Sequence, residues 1–135
     1  MVEQRAPSAL RTIDVVVIGA GAAGTWCAWR CAELGLPEVV LLEKTPRVGT
    51  KILASGGSRC NLTTTLDGVG AAALFGIKGA RFLKRAFGVL APADVRERFG
   101  ELGVATEVAP LEKIFPSSGS AKEVRDALER AARAA

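Results

Sequence analysis

The chain has no histidine. That excludes Ser-His-Asp triads, His-ligated metals and imidazole acid–base chemistry from these residues. Cysteine is scarce, with three in 135 residues. Cys27, Cys31 and Cys60 are an odd set with no CxxC spacing. This argues against a disulfide framework or a zinc site and for reduced thiols. Cys27 and Cys31, four apart in a predicted helix, are expected to be buried packing thiols. No apolar run approaches the roughly 18 residues of a membrane span. The first residues lack an apolar core followed by a small-residue cleavage site, so the expected location is the cytoplasm, with no membrane partner. Charge of one sign is not dominant either. The 18 Lys and Arg face 14 Asp and Glu, and the interleaving suits an anionic ligand without calling for nucleic acid.

What is present is an ordinary globular composition, 49% hydrophobic and 24% charged, enough for one modest domain. Ile13 to Ile18 is a short β-branched run, as expected of a strand covered on both faces. A glycine turn follows, then a predicted helix from Ala22 to Leu34 that Gly35 closes, with Ala28 and Ala32 keeping its sheet-facing side small. Val39 to Leu42 is a second buried strand on this reading, so the segment is a βαβ unit. From Thr45 to Gly79 periodicity is lost and a long loop is expected. Helical spacing resumes from Arg81 to Leu90, with Phe82, Ala86 and Val89 or Leu90 on one side, and from Pro92 to Leu102, with Val95, Phe99 and Leu102 inward. Val104, Thr106 and Val108 alternate as a half-exposed strand would, and Pro110 and Pro116 bracket a turn region. Ser120 and Glu123 form a capping-box pattern for a last helix with Val124 and Leu128 inward.

Gly19-Ala20-Gly21-Ala22-Ala23-Gly24 is a GxGxxG. Gly19 permits the turn out of the strand, Gly21 clears space for a pyrophosphate, and Gly24 lets the helix lie close to the sheet. The amides at the helix N-terminus then receive the phosphates. Alone the hexapeptide is weak. Its context strengthens it: a strand before, a helix after, and Glu43 at the end of the next strand, 19 positions beyond Gly24, where a carboxylate accepts from ribose hydroxyls. Glu43 would repel a 2′-phosphate, which disfavours NADP at this site.

The stretch Lys51-Ile-Leu-Ala-Ser55-Gly56-Gly57-Ser58-Arg59-Cys60-Asn61 is more specific. With GAGAAG and Leu41-Leu-Glu43-Lys44, it resembles the HI0933-like, aminoacetone-oxidase-like group of bacterial FAD/NAD(P)-dependent flavoprotein oxidoreductases. Looser similarity continues through Arg81-Phe-Leu83, Leu102-Gly-Val104 and Phe115-Pro-Ser117. Three departures stand out: Thr50 for a second lysine, Ser58 for a third glycine, and Thr64-Thr65 for an asparagine. The Ser58 change bears on flavin affinity, because glycine there serves a positive φ or a close ligand approach.

The resemblance implies FAD as cofactor, NAD(P)H as a candidate reductant and a small-molecule substrate. It places Ser55 to Asn61 beside the flavin, with Lys51 and Arg59 near pyrophosphate or flavin carbonyls and Cys60 packed beside the cofactor. No catalytic acid or base can be named. The implied fold class is α/β, the N-terminal part of a Rossmann-like FAD-binding fold, followed by the start of an inserted α+β substrate domain. The corresponding division is a tail over 1–12, the βαβ unit and flavin-side loop over 13–66, and an incomplete, mostly helical start of the insertion over 67–135. Members of the group run to several hundred residues. The chain is thus expected to be an N-terminal fragment, a truncated product or one half of a split protein, with a complementing C-terminal chain as partner. The alternatives are a non-catalytic nucleotide-binding remnant and an NAD-binding Rossmann module. Lys78, Arg81, Lys84 and Arg85 read as a solvated helix face, or as a grip on an anionic substrate or RNA backbone. Arg125, Arg130 and Arg133, interleaved with acids, read as solvent face.

Overall fold

The computed structural model describes residues 12–134. The tail expected over 1–12 therefore lies, but for residue 12, outside the described residues. The elements are β1 (Val15–Ile18), α1 (Ala22–Glu33), β2 (Val39–Leu42), α2 (Thr50–Ala54), β3 (Thr63–Thr64) and α3 (Gly68–Ala73), then α4 (Gly76–Val89), α5 (Pro92–Glu101), β4 (Thr106–Ala109), β5 (Lys113–Pro116) and α6 (Ala121–Ala134).

β1 and β2 pair in parallel, from Val15 opposite Val39 to Ile18 opposite Leu42. The connecting helix α1 ends in a Schellman motif. Gly35 turns left-handed at φ +80°. Its N–H donates to Ala32 O at 2.9 Å, and Leu36 N–H donates to Cys31 O at 3.2 Å. This is the expected βαβ unit within a mixed α/β chain. The expectation that both strands are covered on two faces is corrected. Val15 and Val17 are half-buried, while Val16 and Ile18 alternate outward, Ile18 at 85% exposure. Leu42, paired with Ile18, is exposed with it. The reason is topological: α1 covers one face of a two-stranded sheet, and among the described residues nothing covers the other.

A single core joins the two halves of the chain. Trp29 of α1, Ile52 of α2, Cys60, Phe99 of α5, Val104 and the inner stripe of α6 (Val124, Ala127, Leu128) form one buried cluster. Residues on both sides of position 66 therefore share it. Trp26 meets Trp29 edge-on at 5.2 Å between centroids and leans on Phe99 at 5.8 Å. Burying each large side chain here stabilises by about 1.5–3 kcal/mol. On the rim, Glu33 accepts from both Arg30 and Arg98, and the Arg98 guanidinium lies 4.5 Å from the centre of the Trp29 ring. These partly exposed ion pairs add little by themselves.

Cys27 is exposed and Cys31 only half-buried, which corrects the expectation of two buried thiols. The buried side of α1 is the Thr25, Ala28 and Trp29 face, and the thiols point away from it.

The segment from Thr45 to Gly79 is more ordered than its composition suggested, with α2, β3, α3 and the start of α4 inside it. The Asp67 carboxylate caps α3 by accepting from Gly70 N–H at 2.7 Å, and Gly76 at φ +68° turns the chain into α4. Glycine and alanine hide the period here because they carry little side chain to mark it. α4 packs mainly on α3. Its expected inward face is corrected: Phe82, Ala86 and Val89 are exposed, while Leu83, Phe87 and Leu90, the alternative to Val89, are half-buried.

β3, β5 and β4 form an antiparallel sheet in that order, so the region between Pro110 and Pro116 is a hairpin with a strand in it and not turn alone. Leu111 and Glu112 both hold positive φ, at 64° and 57°. A turn of that hand favours Gly or Asn, and their absence concealed the hairpin. α6 begins as expected and buries Val124 and Leu128, but its cap differs. The Glu123 carboxylate accepts from the Ser118 hydroxyl, which also receives Ser120 N–H at 3.3 Å. The turn closed by Gly119 N–H on Pro116 O, at 2.8 Å, brings Ser118 back to the helix start.

Candidate functional site

The glycine turn, the end of β2 and the start of α2 are knitted together by backbone bonds. Gly19 N–H donates to Leu42 O at 2.7 Å, and Gly49 N–H donates to Ala20 O at 2.8 Å. Buried Thr25 donates its hydroxyl to Gly21 O at 2.8 Å, locking the first turn of α1.

Two of the motif's three glycines are required by the fold, each for a different reason. Gly19 sits at φ +97°, which side chains with a Cβ resist. A Cβ on Gly24 would lie 1.9 Å from Gly19 O, so the helix can approach the turn only because that carbon is missing. Gly21 has an ordinary extended backbone as N-cap of α1, and a Cβ there would meet nothing within 4 Å. Neither backbone nor packing asks for glycine at 21. The space in front of it is free for a ligand. α1 has no side-chain cap and no acidic residue in its first turn, so its N-terminal amides face that space with the positive end of the helix dipole.

Glu43 closes the opposite wall. One carboxylate oxygen accepts from Ala20 N–H at 2.8 Å. The other accepts from Thr45 N–H and from the Thr45 hydroxyl, both at 2.9 Å. The Thr45 amide first, and the Ala20 amide after it, hold the carboxyl below the usual glutamate range. The group is therefore a fixed anion with lone pairs still open to a hydroxyl donor. Gly19, Ala20, Gly21, Glu43, Lys44 and Lys51 all line this cavity of about 630 Å³.

A second cavity, about 410 Å³, adjoins the first. Lys51 borders both. Its walls are apolar, from Trp26, Ile52, Leu90 and Phe99, and Ala22, Ala23, Ser55, Cys60 and Asn61 complete it. The loop that carries the last three is left-handed at Gly56, Gly57, Ser58 and Cys60, with φ between 57° and 67°. Ser58 thus occupies a conformation suited to glycine at the place where the flavoprotein pattern has one, a local cost of about 1–2 kcal/mol. Cys60 N–H on Ser55 O at 3.0 Å and Ala121 N–H on Ser58 O at 2.9 Å hold the loop. A Cβ on Gly56 would fall 2.8 Å from Asn61 N. Burial pushes the Cys60 thiol up, against a Ser55 hydrogen bond that pulls it down.

Most of the residues expected at a site are brought together along these two cavities. Gly24, Gly56, Gly57 and Arg59 lie outside both. Arg59 stacks 4.3 Å above the Phe115 ring, and the Asn61 side-chain oxygen accepts from Ile114 N–H at 3.3 Å. Sequence reasoning missed Trp26 and Leu90 as cavity walls. Trp26 lies four residues after Ala22 on the same helix face, a spacing that could have revealed it.

A family profile described as "HI0933-like protein Rossmann domain" matches residues 13–135. The chain is similar to a ribosomal RNA dihydrouridine synthase of Escherichia coli (strain K12), 31% identical over 119 residues, which covers 88% of this chain and 28% of that protein. It is 32% identical over 114 residues to a 3-dehydro-bile acid delta(4,6)-reductase of Clostridium scindens, covering 84% of this chain and 27% of the relative. A shorter match, 54% over 43 residues, covers 32% of this chain and 10% of a "probable electron transfer flavoprotein-quinone oxidoreductase" of E. coli. The chain thus spans about a quarter of the length of the relatives it matches across most of its own.

Proposed function

The chain belongs to the HI0933-like Rossmann-domain family, and from that premise we propose that its paired cavities bind FAD as part of a flavoprotein oxidoreductase. The observation that carries the reading is the open space at Gly21, walled by the α1 N-terminus on one side and anchored Glu43 on the other. In this reading the α1 amides take the pyrophosphate, Glu43 accepts from the adenosine ribose, and Lys51 balances charge where the cavities meet. The apolar cavity bordered by Ser55, Cys60 and Asn61 takes the flavin side of the molecule. Arg59, stacked on Phe115, supports the loop. A bound flavin supplies hydride and electron transfer, while the protein orients it and excludes water. An NAD-binding module is the weaker reading, because it leaves the apolar cavity and its left-handed loop without a role.

Substrate, NAD(P)H as reductant and the cytoplasm as location belong to the same proposal, together with a complementing polypeptide. That last element is supported by the uncovered Ile18 and Leu42 face.

The test is a fluorescence titration of the chain with FAD, with NAD and AMP as competitors. Saturable binding with FAD preferred is expected. Equal weak binding of all three would reduce the site to an adenosine-diphosphate cradle, and no binding by folded chain would overturn it. Gly21→Asp is expected to abolish binding through clash and charge with the pyrophosphate while leaving the circular dichroism of the free chain unchanged, since its Cβ meets no protein atom.

A further inference from the structure

The α3–α4 hairpin differs from the rest of the chain in both charge and exposure. Between Asp67 and Asp94 there is no acidic residue, but Lys78, Arg81, Lys84 and Arg85 lie there. The chain carries 18 cationic and 14 anionic side chains. Setting these four cations aside leaves 14 against 14, so the formal net charge of +4 resides wholly in this hairpin.

The same segment exposes its large apolar side chains. Ile77 and Val89 are 81% exposed and Phe82 is 84% exposed. Val69, Leu74 and Phe75, on α3 and the turn, are exposed as well. Along one stripe of α4, Lys78, Phe82, Arg85 and Val89 follow one another at helical spacing. No residue of α4 is buried.

We propose that the outer face of α4 docks on an anionic lipid bilayer, with Phe82 and Val89 entering the headgroup–acyl boundary and Lys78 and Arg85, on the same stripe, lying at the lipid phosphates. Charge complementarity selects the occupant: a helix with exposed aromatic and aliphatic side chains among Lys and Arg, and no acid, is the pattern of an interfacial helix. The long stems of Lys78 and Arg85 can lie along the apolar groups while their heads reach the phosphates. An RNA backbone would engage the same cations, but it would leave Phe82 and Val89 in water, which favours the lipid interface. No helix among the described residues is long and apolar enough to cross a membrane, so the contact is peripheral. The proposal does not depend on the cofactor reading.

The experiment is co-sedimentation of the chain with vesicles of phosphatidylglycerol and phosphatidylcholine, against vesicles of phosphatidylcholine alone. Retention on the anionic vesicles, at least tenfold stronger and weakened by salt, is the expected result. Neutralising Lys78 and Arg85 together to Gln is expected to lower it by roughly 20- to 30-fold. Phe82→Ser, at an exposed position that the fold does not use, is expected to lower it about tenfold. Equal retention on neutral vesicles, or none on anionic ones, would overturn the proposal. So would retention indifferent to Phe82→Ser, or a tighter hold on single-stranded RNA than on the vesicles, since either would make the patch purely electrostatic.

Discussion

Helices α4 and α6 are both 14 residues long, yet they are used in opposite ways. α6 is the more heavily charged, alternating Lys, Arg, Asp and Glu, and it buries Ala121, Val124, Ala127 and Leu128 almost completely. α4 carries Ile77, Phe82, Leu83, Phe87 and Val89 and buries none of its residues. Total hydrophobicity therefore does not decide which helix enters the core. α6 has a narrow stripe of small and branched groups that fits between α1 and α2, and its charges pair with one another along the helix, Lys122 with Asp126 and Arg133 with Glu129. α4 spreads its apolar groups around the helix among cations, and among the described residues α3 offers it the main partner surface.

That contrast can be broken or sharpened by substitution. Leu128→Ala is expected to lower stability by about 2–5 kcal/mol, because it opens a cavity in the shared core; chemical denaturation followed by circular dichroism measures it. Ser58→Gly is expected to raise stability by about 1 kcal/mol, through release of a left-handed serine, and the same titration reports it. Glu43 should leave a smaller trace. Its carboxyl is held down by the Thr45 and Ala20 amides, so its contribution is present above the ordinary glutamate value of about 4.3 and is lost as pH falls through the lowered value in the folded chain. Glu43→Gln should flatten the acid limb of melting temperature against pH, and an unchanged limb would show that these hydrogen bonds do not matter. Smallest of all, Phe82→Ala is expected to shift stability by no more than about 0.5 kcal/mol. A larger loss would mean that α4 is packed more tightly than its exposure indicates.

The parts of the site that could be read in advance are those in which one residue type has one physical use. Gly19 and Gly24 each answer a separate constraint of the fold, and Glu43 lies where the βαβ geometry brings the end of β2 beside the glycine turn. The left-handed geometry at position 58 was also foreseeable from the flavoprotein pattern, although serine stands there. Elements built from residues with little local signal were harder to see. α3 is glycine and alanine under an Asp67 cap, and the β4–β5 turn uses Leu111 and Glu112 in conformations that their side chains disfavour. The direction in which α4 faces could not be read either, because Phe82 and Val89 on one side and Leu83 and Phe87 on the other make equally good stripes.

By itself the sequence determined the βαβ unit, the fold roles of Gly19 and Gly24 and the inner stripe of α6. These follow from local rules: backbone sterics, helical spacing and residue inventory. Only the tertiary structure decided that Trp26 and Leu90 wall a cavity, that Arg59 lies on Phe115, that Cys27 faces outward and that, among the described residues, one side of β1 and β2 stays open. Each of those depends on which surfaces meet in space, and that is set by packing between segments distant along the chain.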